Sequence, residues 1–157
     1  MRKRSKYRPK GVRLDTLGYV LEGMTPVTKH ESYLIDLKIK NHGAMASLTR
    51  GEATRAEIDT LITMVNFVEA LYRMGIGTEY KDVVQEGLDA LHTVGKRGIE
   101  TGKFILKAGE MNALNTVMEL HDAQMEVITI KDMEKAFALV EGEYRARKMR
   151  PIVEIQK

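Results

Sequence analysis

The chain has 157 residues, of which 43% are apolar and 30% charged, a composition typical of one globular domain with a real core. It contains no Cys, which excludes a disulfide framework and a zinc site built from thiolates. No apolar run has the length of a transmembrane helix or follows the basic N-terminus as in a secretory signal, so the sequence predicts a cytoplasmic protein without a membrane segment.

The charges are distributed unevenly along the chain. Residues 1–13 carry seven positive charges and no negative one, and residues 145–157 carry a net charge of +4. Residues 14–144 carry a net charge of −8, although the whole chain is at +3. Two basic ends beside an acidic body are suited to binding phosphate groups, and equally to binding the acidic body of a neighbouring copy.

The N-terminal region differs in pattern from the rest of the chain. Pro and Gly recur through residues 1–26, which predicts an extended or irregular arm with one short helical turn at 14–22. From Val27 the apolar residues repeat with the period of a helix, and Gly51 is expected to end it. The buried stripe predicted for this helix consists of Leu34, Leu37, Asn41, Met45 and Leu48, widened by Ile35, Ile39 and Ala46.

The second predicted helix has clear signals at both ends. Thr54, with Glu57 three residues later, matches a capping box, and Gly75 and Gly77 predict the end of the helix and the following turn. Because this helix is apolar on two faces, it is expected to be central. One predicted stripe consists of Ile58, Leu61, Val65, Val68 and Tyr72, and the other of Met64, Phe67, Leu71 and Met74.

A third helix is predicted over residues 78–94, with three glycines after it. The glycines make residues 95–108 compatible either with a short helix or with a loop that carries residues 104–106 into the core. The glycines are Gly95, Gly98 and Gly102, and the residues of the third helix predicted to be buried are Tyr80, Val83, Val84, Leu88 and Leu91.

Two further helices are predicted over residues 109–127 and 130–148. Thr129 and Asp132 resemble a cap for the last helix, and Pro151 is expected to stop it before a short extended tail at 152–155. The predicted buried stripes are Leu114, Val117, Met118, His121 and Met125 in one helix, and Met133, Phe137, Val140 and Tyr144 in the other.

The predicted fold is therefore an all-α bundle of five or six helices with an extended basic N-terminal arm. Its parts are the arm at 1–26, the bundle at 27–150 and a short tail at 151–157.

Familiar catalytic motifs do not occur in the sequence. No Glu stands three residues before any His, as a di-iron bundle requires, and there is no G-x-S-x-G, Walker A loop or Cys nucleophile. We therefore expect no enzyme activity, no metal and no cofactor. The favoured interpretation of the glycines after residue 94 is that they end one helix and let another approach closely, and the alternative is an anion-binding nest with Lys96, Arg97 and Lys103.

Polar residues on otherwise apolar helix faces form a second group of candidates. Buried polar groups need partners, so an inter-helix network that sets packing register is the favoured interpretation, and a lining that orients a small ligand is the alternative. The group comprises Asn41, His42, Asn66 and His121, together with the helically spaced Asn112, Asn115, Glu119 and Asp122.

The basic ends form a third group of candidates, for phosphate and nucleotide binding. Their cations can clamp phosphates, and the tyrosine can stack on a base. Positive charge at the end of the last helix also complements the helix dipole, which is a purely structural explanation for that end. The candidates are Lys3, Arg4, Lys6, Tyr7, Arg8, Lys10 and Arg13 in the arm, and Arg145, Arg147, Lys148 and Arg150 at the other end.

Four segments resemble a family of small proteins encoded by tailed phages and prophages of proteobacteria. They are KYRPK (6–10), NHGAM (41–45), NFVEALYRMG (66–75) and ALNTVMELHDAQMEV (113–127). The resemblance spans nearly the whole chain and carries no catalytic motif. It implies an accessory protein made in the host cytoplasm during infection. Small helical phage proteins of this kind block a host defence complex, bind DNA, or oligomerise to sequester immune nucleotide signals.

Four functions are consistent with these patterns. The first is a non-enzymatic homo-oligomer that binds anionic nucleotide ligands and so counters host immunity. The second is a DNA- or RNA-binding accessory protein, which requires a continuous basic surface that the acidic body opposes. The third is a protein that inhibits a host defence complex by docking on it, and the fourth, ranked last, is a metal-dependent enzyme.

Overall fold

The computed structural model describes residues 16–146 and residue 148, and the regular structure in this part of the chain is helical apart from one isolated bridge between Pro26 and Thr129. The all-α class is therefore confirmed for the described residues. The α-helices are α1 (Thr16–Gly23), α2 (Glu31–Thr49), α3 (Arg55–Arg73), α4 (Lys81–Thr101), α5 (Ala108–Val127) and α6 (Ile130–Arg145), with short 3-10 turns at Val27–Lys29 and Thr78–Tyr80.

Helix α3 is the centre of the bundle, as its two apolar faces predicted. It packs against α2, α4, α5 and α6. The Thr54 and Glu57 side chains form the predicted capping box. The Thr54 hydroxyl accepts a hydrogen bond from a backbone N–H group of the first turn, and the Glu57 carboxylate accepts one from the backbone N–H group of Thr54. Gly75, at φ 96°, follows the helix in a conformation that favours glycine. The second capping box, Thr129 with Asp132, opens α6 as predicted.

The buried side chains form two apolar clusters that share α3. The larger cluster joins α2, α3, α4 and α5, and it includes the fully buried Leu48, Leu61 and Val94. The smaller cluster joins α3, α5 and α6 around Phe67 and Met125. The predicted α5 stripe, His121 included, is buried throughout, so that prediction is confirmed.

The region that the sequence left open is now resolved. Helix α4 continues past the predicted end at residue 94 to Thr101, with Gly95 and Gly98 inside it, and Gly102 ends it at φ 75°. Residues 102–107 then form a connection rather than a helix. Within that connection Phe104 packs on Gly98, where a Cβ atom would lie 2.0 Å from the ring Cδ1 atom. Gly102 therefore ends the helix, as one of the two interpretations held, and Gly98 permits a close approach, although by the following connection and not by another helix.

Helix ends also differ from the prediction at three places. Residues 27–29 form a 3-10 turn, and α2 begins at Glu31 rather than at Val27. Residues 78–80 likewise form a 3-10 turn, and α4 begins at Lys81 rather than at residue 78. Helix α6 ends at Arg145, before the predicted residue 148. Helix α1 agrees with the helical turn predicted at 14–22 and packs against α6. Residues 1–15 of the arm and the tail predicted at 152–155 lie outside the described residues.

Five side chains predicted to be buried are exposed, and those predictions were wrong. Ile35 and Ile39 lie on the outer flank of α2, which packs mainly on α3 and touches α5 only at its edge. On α6, Tyr144 lies on the outer flank, whereas the Phe137 ring packs on Phe67 of α3, with 4.7 Å between the ring centroids, and is still 39% exposed. Tyr80 belongs to the 3-10 turn that precedes α4 and so falls outside the helical register.

Candidate functional site

A groove of about 510 Å³ lies between α2 and α5. Both helices pack on α3, and they make few contacts with each other, so a space remains between their outer flanks. Helix α2 contributes four side chains, Arg50 directly after it contributes a fifth, and α5 contributes three. The lining residues are His42, Met45, Ala46, Thr49, Arg50, Asn115, Met118 and Glu119.

The groove combines an apolar floor with polar rims. The floor includes Met45 and Met118, which are both buried. On the α2 rim, the Nε atom of Arg50 donates a hydrogen bond to Glu52 over 2.7 Å. The pair is exposed, so it is weak and leaves most of the guanidinium free to meet a ligand. Glu119 supplies an exposed carboxylate on the α5 rim.

A carboxylate of α5 fixes the histidine on the α2 rim. The Asp122 Oδ2 atom lies 2.9 Å from Nε2 of His42, and its Oδ1 atom lies 3.2 Å from Nδ1 of the buried His121. Since a carboxylate accepts a hydrogen bond, Nε2 of His42 carries a proton and Nδ1 remains to accept one from a ligand, or to donate one when the ring is charged. Asp122 thus holds the His42 ring in one orientation at the groove.

Burial and hydrogen bonding shift the pKa values of Asp122 and His121 in opposite directions. Burial raises the pKa of Asp122, but the hydrogen bonds with His42 and His121 outweigh it and lower the pKa below its usual value. Burial lowers the pKa of His121, against the opposing effect of the Asp122 carboxylate. Asp122 is therefore ionised and His121 neutral at neutral pH.

These contacts bear on both interpretations of the polar helix residues. The contact of Asp122 with His42 and His121 is an inter-helix network, and His42, Asn115 and Glu119 also line the groove. His42 is exposed, so the prediction that it is buried beside Asn41 was wrong for His42 and confirmed for Asn41. Two further residues of the predicted polar group lie outside this network and the groove lining: Asn66, which is half buried, and Asn112, which is exposed.

The basic residues after residue 94 are placed differently from the expected nest. Gly95 and Gly98 lie inside α4, so their amides bond within the helix instead of facing an anion. The Arg97 guanidinium makes two hydrogen bonds to the Glu110 carboxylate, at 2.8 and 2.6 Å, and this lowers the pKa of Glu110. Arg97 and Lys96 also line a shallow depression of about 430 Å³ on α4, which does not include Lys103.

The basic ends are described only in part. Arg145 pairs with Glu141 one turn earlier on α6, and Lys148 is exposed just beyond that helix. The other predicted phosphate ligands lie outside the described residues; these are Lys3, Arg4, Lys6, Tyr7, Arg8, Lys10 and Arg13 in the arm, with Arg147 and Arg150.

Arg50 and Thr49 are the polar lining residues that the sequence did not single out. His42, Asn115 and Glu119 had a signal, because each interrupts an apolar helix pattern. Arg50 had none, since it directly follows α2 at a position where a positive charge complements the helix dipole. Only the pairing of α2 with α5 brings it opposite Asn115.

No protein-family model, curated protein or solved structure matches this chain. None of the helices in the described part has the length and apolarity that crossing a bilayer requires. Among the same residues, no three His, Asp or Glu side chains are grouped as metal ligands.

Proposed function

We propose that the protein is a non-enzymatic binding protein that takes an anionic nucleotide into the groove between α2 and α5 and works as a homo-oligomer. The observation that carries this proposal is the lining of the groove, which offers the Arg50 guanidinium, the His42 imidazole, the Glu119 carboxylate, neutral polar groups and an apolar floor around a space of about 510 Å³. That volume lies in the range of small-molecule sites.

The α2 rim suits the phosphate groups of a nucleotide. The guanidinium of Arg50 presents a planar set of donors that matches phosphate oxygens. His42 stands on the same rim and is held in one orientation by Asp122. A ring fixed in advance loses less entropy when a ligand binds, which favours a defined phosphate position.

The floor and the α5 rim suit the base and the ribose. Met45 and Met118 are polarizable and flexible, so they pack well against an aromatic base. Asn115 can donate and accept hydrogen bonds at a base edge, and the Glu119 carboxylate can accept them from ribose hydroxyls. The two rims thus provide different chemistry for the two ends of one ligand.

The charge of the helical body favours a small ligand over a nucleic acid. Residues 16–146 include 14 Lys and Arg against 20 Asp and Glu, a net charge of −6. A polyanion that runs along this surface would meet the whole net negative charge, whereas a mononucleotide in the groove would contact only the residues that line it. The basic segment 1–13 is then available to bind the acidic body of a second copy.

The resemblance to phage-encoded proteins suggests a biological role for such binding. A cytoplasmic oligomer that holds nucleotides without converting them would sequester a host immune signal during infection. The alternatives are a DNA- or RNA-binding accessory protein and an inhibitor that docks on a host defence complex. Each predicts a different binding partner.

Calorimetric titration with a panel of mononucleotides and cyclic nucleotides tests the proposal. We expect Arg50→Ala to weaken binding on the order of 10-fold to 100-fold, because it removes a charge-assisted hydrogen bond, and His42→Ala to weaken it by up to about 10-fold, because it removes a hydrogen bond. Arg55→Ala is the matched control, since Arg55 is an exposed arginine that does not line the groove. Nucleotide recovered after incubation should be unchanged.

Two outcomes would contradict the proposal. Equal affinity of Arg50→Ala and the wild type would exclude the groove as the site. Binding of a labelled DNA duplex that falls steeply with salt, with no response to any nucleotide, would favour the nucleic-acid alternative.

A further inference from the structure

Asp122 contacts two histidines through different ring nitrogens. Its Oδ2 atom lies 2.9 Å from Nε2 of His42, and its Oδ1 atom lies 3.2 Å from Nδ1 of His121. Although burial raises the pKa of Asp122, the hydrogen bonds with both rings lower it below its usual value, so the carboxylate is ionised and can only accept. Each neutral ring therefore carries its proton on the nitrogen that faces Asp122, and the two rings are opposite tautomers.

The tautomer of His42 determines what this ring offers to a ligand in the groove. The His42 side chain is 52% exposed and lines the groove, whereas His121 is buried. With the proton on Nε2, the other nitrogen, Nδ1, presents a lone pair and can only accept a hydrogen bond. The ionised phosphate oxygens of a nucleotide are also acceptors, so the neutral ring held in this way cannot form a hydrogen bond to a phosphate.

We propose that His42 takes up a proton on Nδ1 when the phosphate of a nucleotide binds in the groove, and that Asp122 is the positioning residue that imposes this requirement. The charged ring donates from Nε2 to Asp122 and from Nδ1 to the phosphate, so it lies between two anions. The proton comes from the solvent, and the N–H bond is the only covalent bond that forms. The inference rests on the proposed function, since it concerns how the same groove recognises its ligand.

The charges around His42 act in opposite directions. Negative groups on α5 favour the charged ring, and positive groups on α2 and directly after it oppose the charge. Helix α3, the other main neighbour of α2, buries only apolar side chains. A bound phosphate adds a negative charge beside Nδ1, so the complex favours the charged ring more than the free protein does. The charged and titratable groups are Asp122, Glu119 and the neutral His121 on α5, Lys38 on α2, Arg50 directly after α2, and Lys29 in the turn before its far end.

The required proton makes binding depend on pH. Where one full proton is taken up, the affinity weakens by about 10-fold for each unit by which the pH rises. Histidine as a residue type changes its charge between about pH 5 and pH 8. We therefore expect the affinity of the wild type for a nucleotide to weaken by about 10-fold between about pH 7 and pH 8.5.

Titration calorimetry in two buffers of different ionisation enthalpy counts the protons taken up per bound nucleotide. At about pH 7.5 a phosphate monoester has lost its second proton, so a proton that is taken up goes to the protein. We expect at least about half a proton for the wild type, and none for His42→Gln, whose amide can donate to the phosphate without a charge. His30→Gln is the matched control, because His30 directly precedes α2 and does not line the groove, and it should take up as much as the wild type.

Asp122→Asn tests the tautomer, since the amide has the shape of the carboxylate. The Asn oxygen can accept from Nδ1 of His121, and its NH₂ group can donate to Nε2 of His42. The neutral His42 ring then carries its proton on Nδ1 and donates to the phosphate. We expect this variant to bind nucleotide without proton uptake, with an affinity that changes by less than about 2-fold between about pH 7 and pH 8.5. Circular dichroism should give wild-type helicity for all three variants.

Three results would overturn the inference. The first is nucleotide binding by the wild type without proton uptake, and the second is uptake that persists in His42→Gln, which would place the proton on another group such as Glu119. The third is an Asp122→Asn variant of wild-type helicity that takes up as many protons as the wild type or no longer binds. Each of these leaves the proposed function standing, because the wild type still binds nucleotide. A wild type that binds no nucleotide at all would refute the proposed function and the inference with it.

Discussion

Replacing Gly98 by Ala tests the close approach between α4 and the connection that follows it. A Cβ atom at position 98 would lie 2.0 Å from Cδ1, 2.3 Å from Cε1 and 2.8 Å from Cγ of Phe104. Carbon atoms pack at about 3.5–4.0 Å, so the ring must leave its place. Phe104 packs against the larger apolar cluster, and its displacement would loosen the connection between α4 and α5.

Two effects of opposite sign determine the size of the change. Forcing extra volume into a packed region costs about 1–3 kcal/mol, while Ala gains about 0.8–1.0 kcal/mol over Gly inside a helix. We therefore expect Gly98→Ala to lower the free energy of unfolding by up to about 2 kcal/mol. For a chain of this length each kcal/mol shifts Tm by about 2–4 °C, so Tm should fall by up to about 8 °C.

Thermal unfolding followed by circular dichroism measures this shift. Gly142→Ala is the matched control, because Gly142 lies in α6 and a Cβ atom there would meet nothing within 4 Å. That variant should raise Tm by the helix-propensity gain alone, about 2–4 °C. In a Phe104→Ala background, Gly98→Ala should also raise Tm, since the ring is gone. If Gly98→Ala raised Tm in the wild-type background as much as Gly142→Ala does, the packing argument would be wrong.

Two further predictions concern ionisable groups. Burial lowers the pKa of His121 below its ordinary value, so the unfolded chain takes up a proton first, and the stability should be full above about pH 6.5 and fall as the pH drops below it. His121→Gln should flatten that dependence in unfolding curves recorded between about pH 7.5 and pH 5; an unchanged slope would contradict the assignment. Glu110→Gln should destabilise the fold by about 1–3 kcal/mol in urea denaturation, because it removes the partner of the partly buried Arg97, whereas Glu141→Gln, in an exposed pair, should change it by less than about 0.5 kcal/mol. Equal effects of the two substitutions would refute the argument from burial.

Local chemistry made three helix ends predictable from the sequence. The capping boxes at Thr54 and Thr129 and the glycine stop at Gly75 depend on residues within a few positions, and each is found where it was expected. The apolar periodicity predicted burial less well than these local signals predicted helix ends. It shows that Ile35 and Ile39 share a face with other apolar residues, but it does not show whether a neighbouring helix covers that face.

The site was harder to predict than the fold because it depends on contacts between distant segments. The sequence singled out His42 and Glu119 as polar residues in apolar patterns. The two residues lie far apart in the sequence, so the pattern does not show that α2 and α5 line one groove. It made Arg97 a candidate for an anion nest, whereas the Glu110 carboxylate, in the next helix, accepts a hydrogen bond from each of its two terminal nitrogens. A charge pattern indicates the sign of a binding partner's charge but does not identify the partner.

The most direct test of the central claim is the small-molecule content of the purified protein. The native chain is denatured, the protein is removed, and the released material is identified by mass spectrometry, alongside His42→Ala and Arg55→Ala purified in the same way. The account predicts a nucleotide released from the wild type and from Arg55→Ala, and much less from His42→Ala. Wild-type protein that releases no nucleotide, and binds none when a nucleotide panel is added, would contradict it.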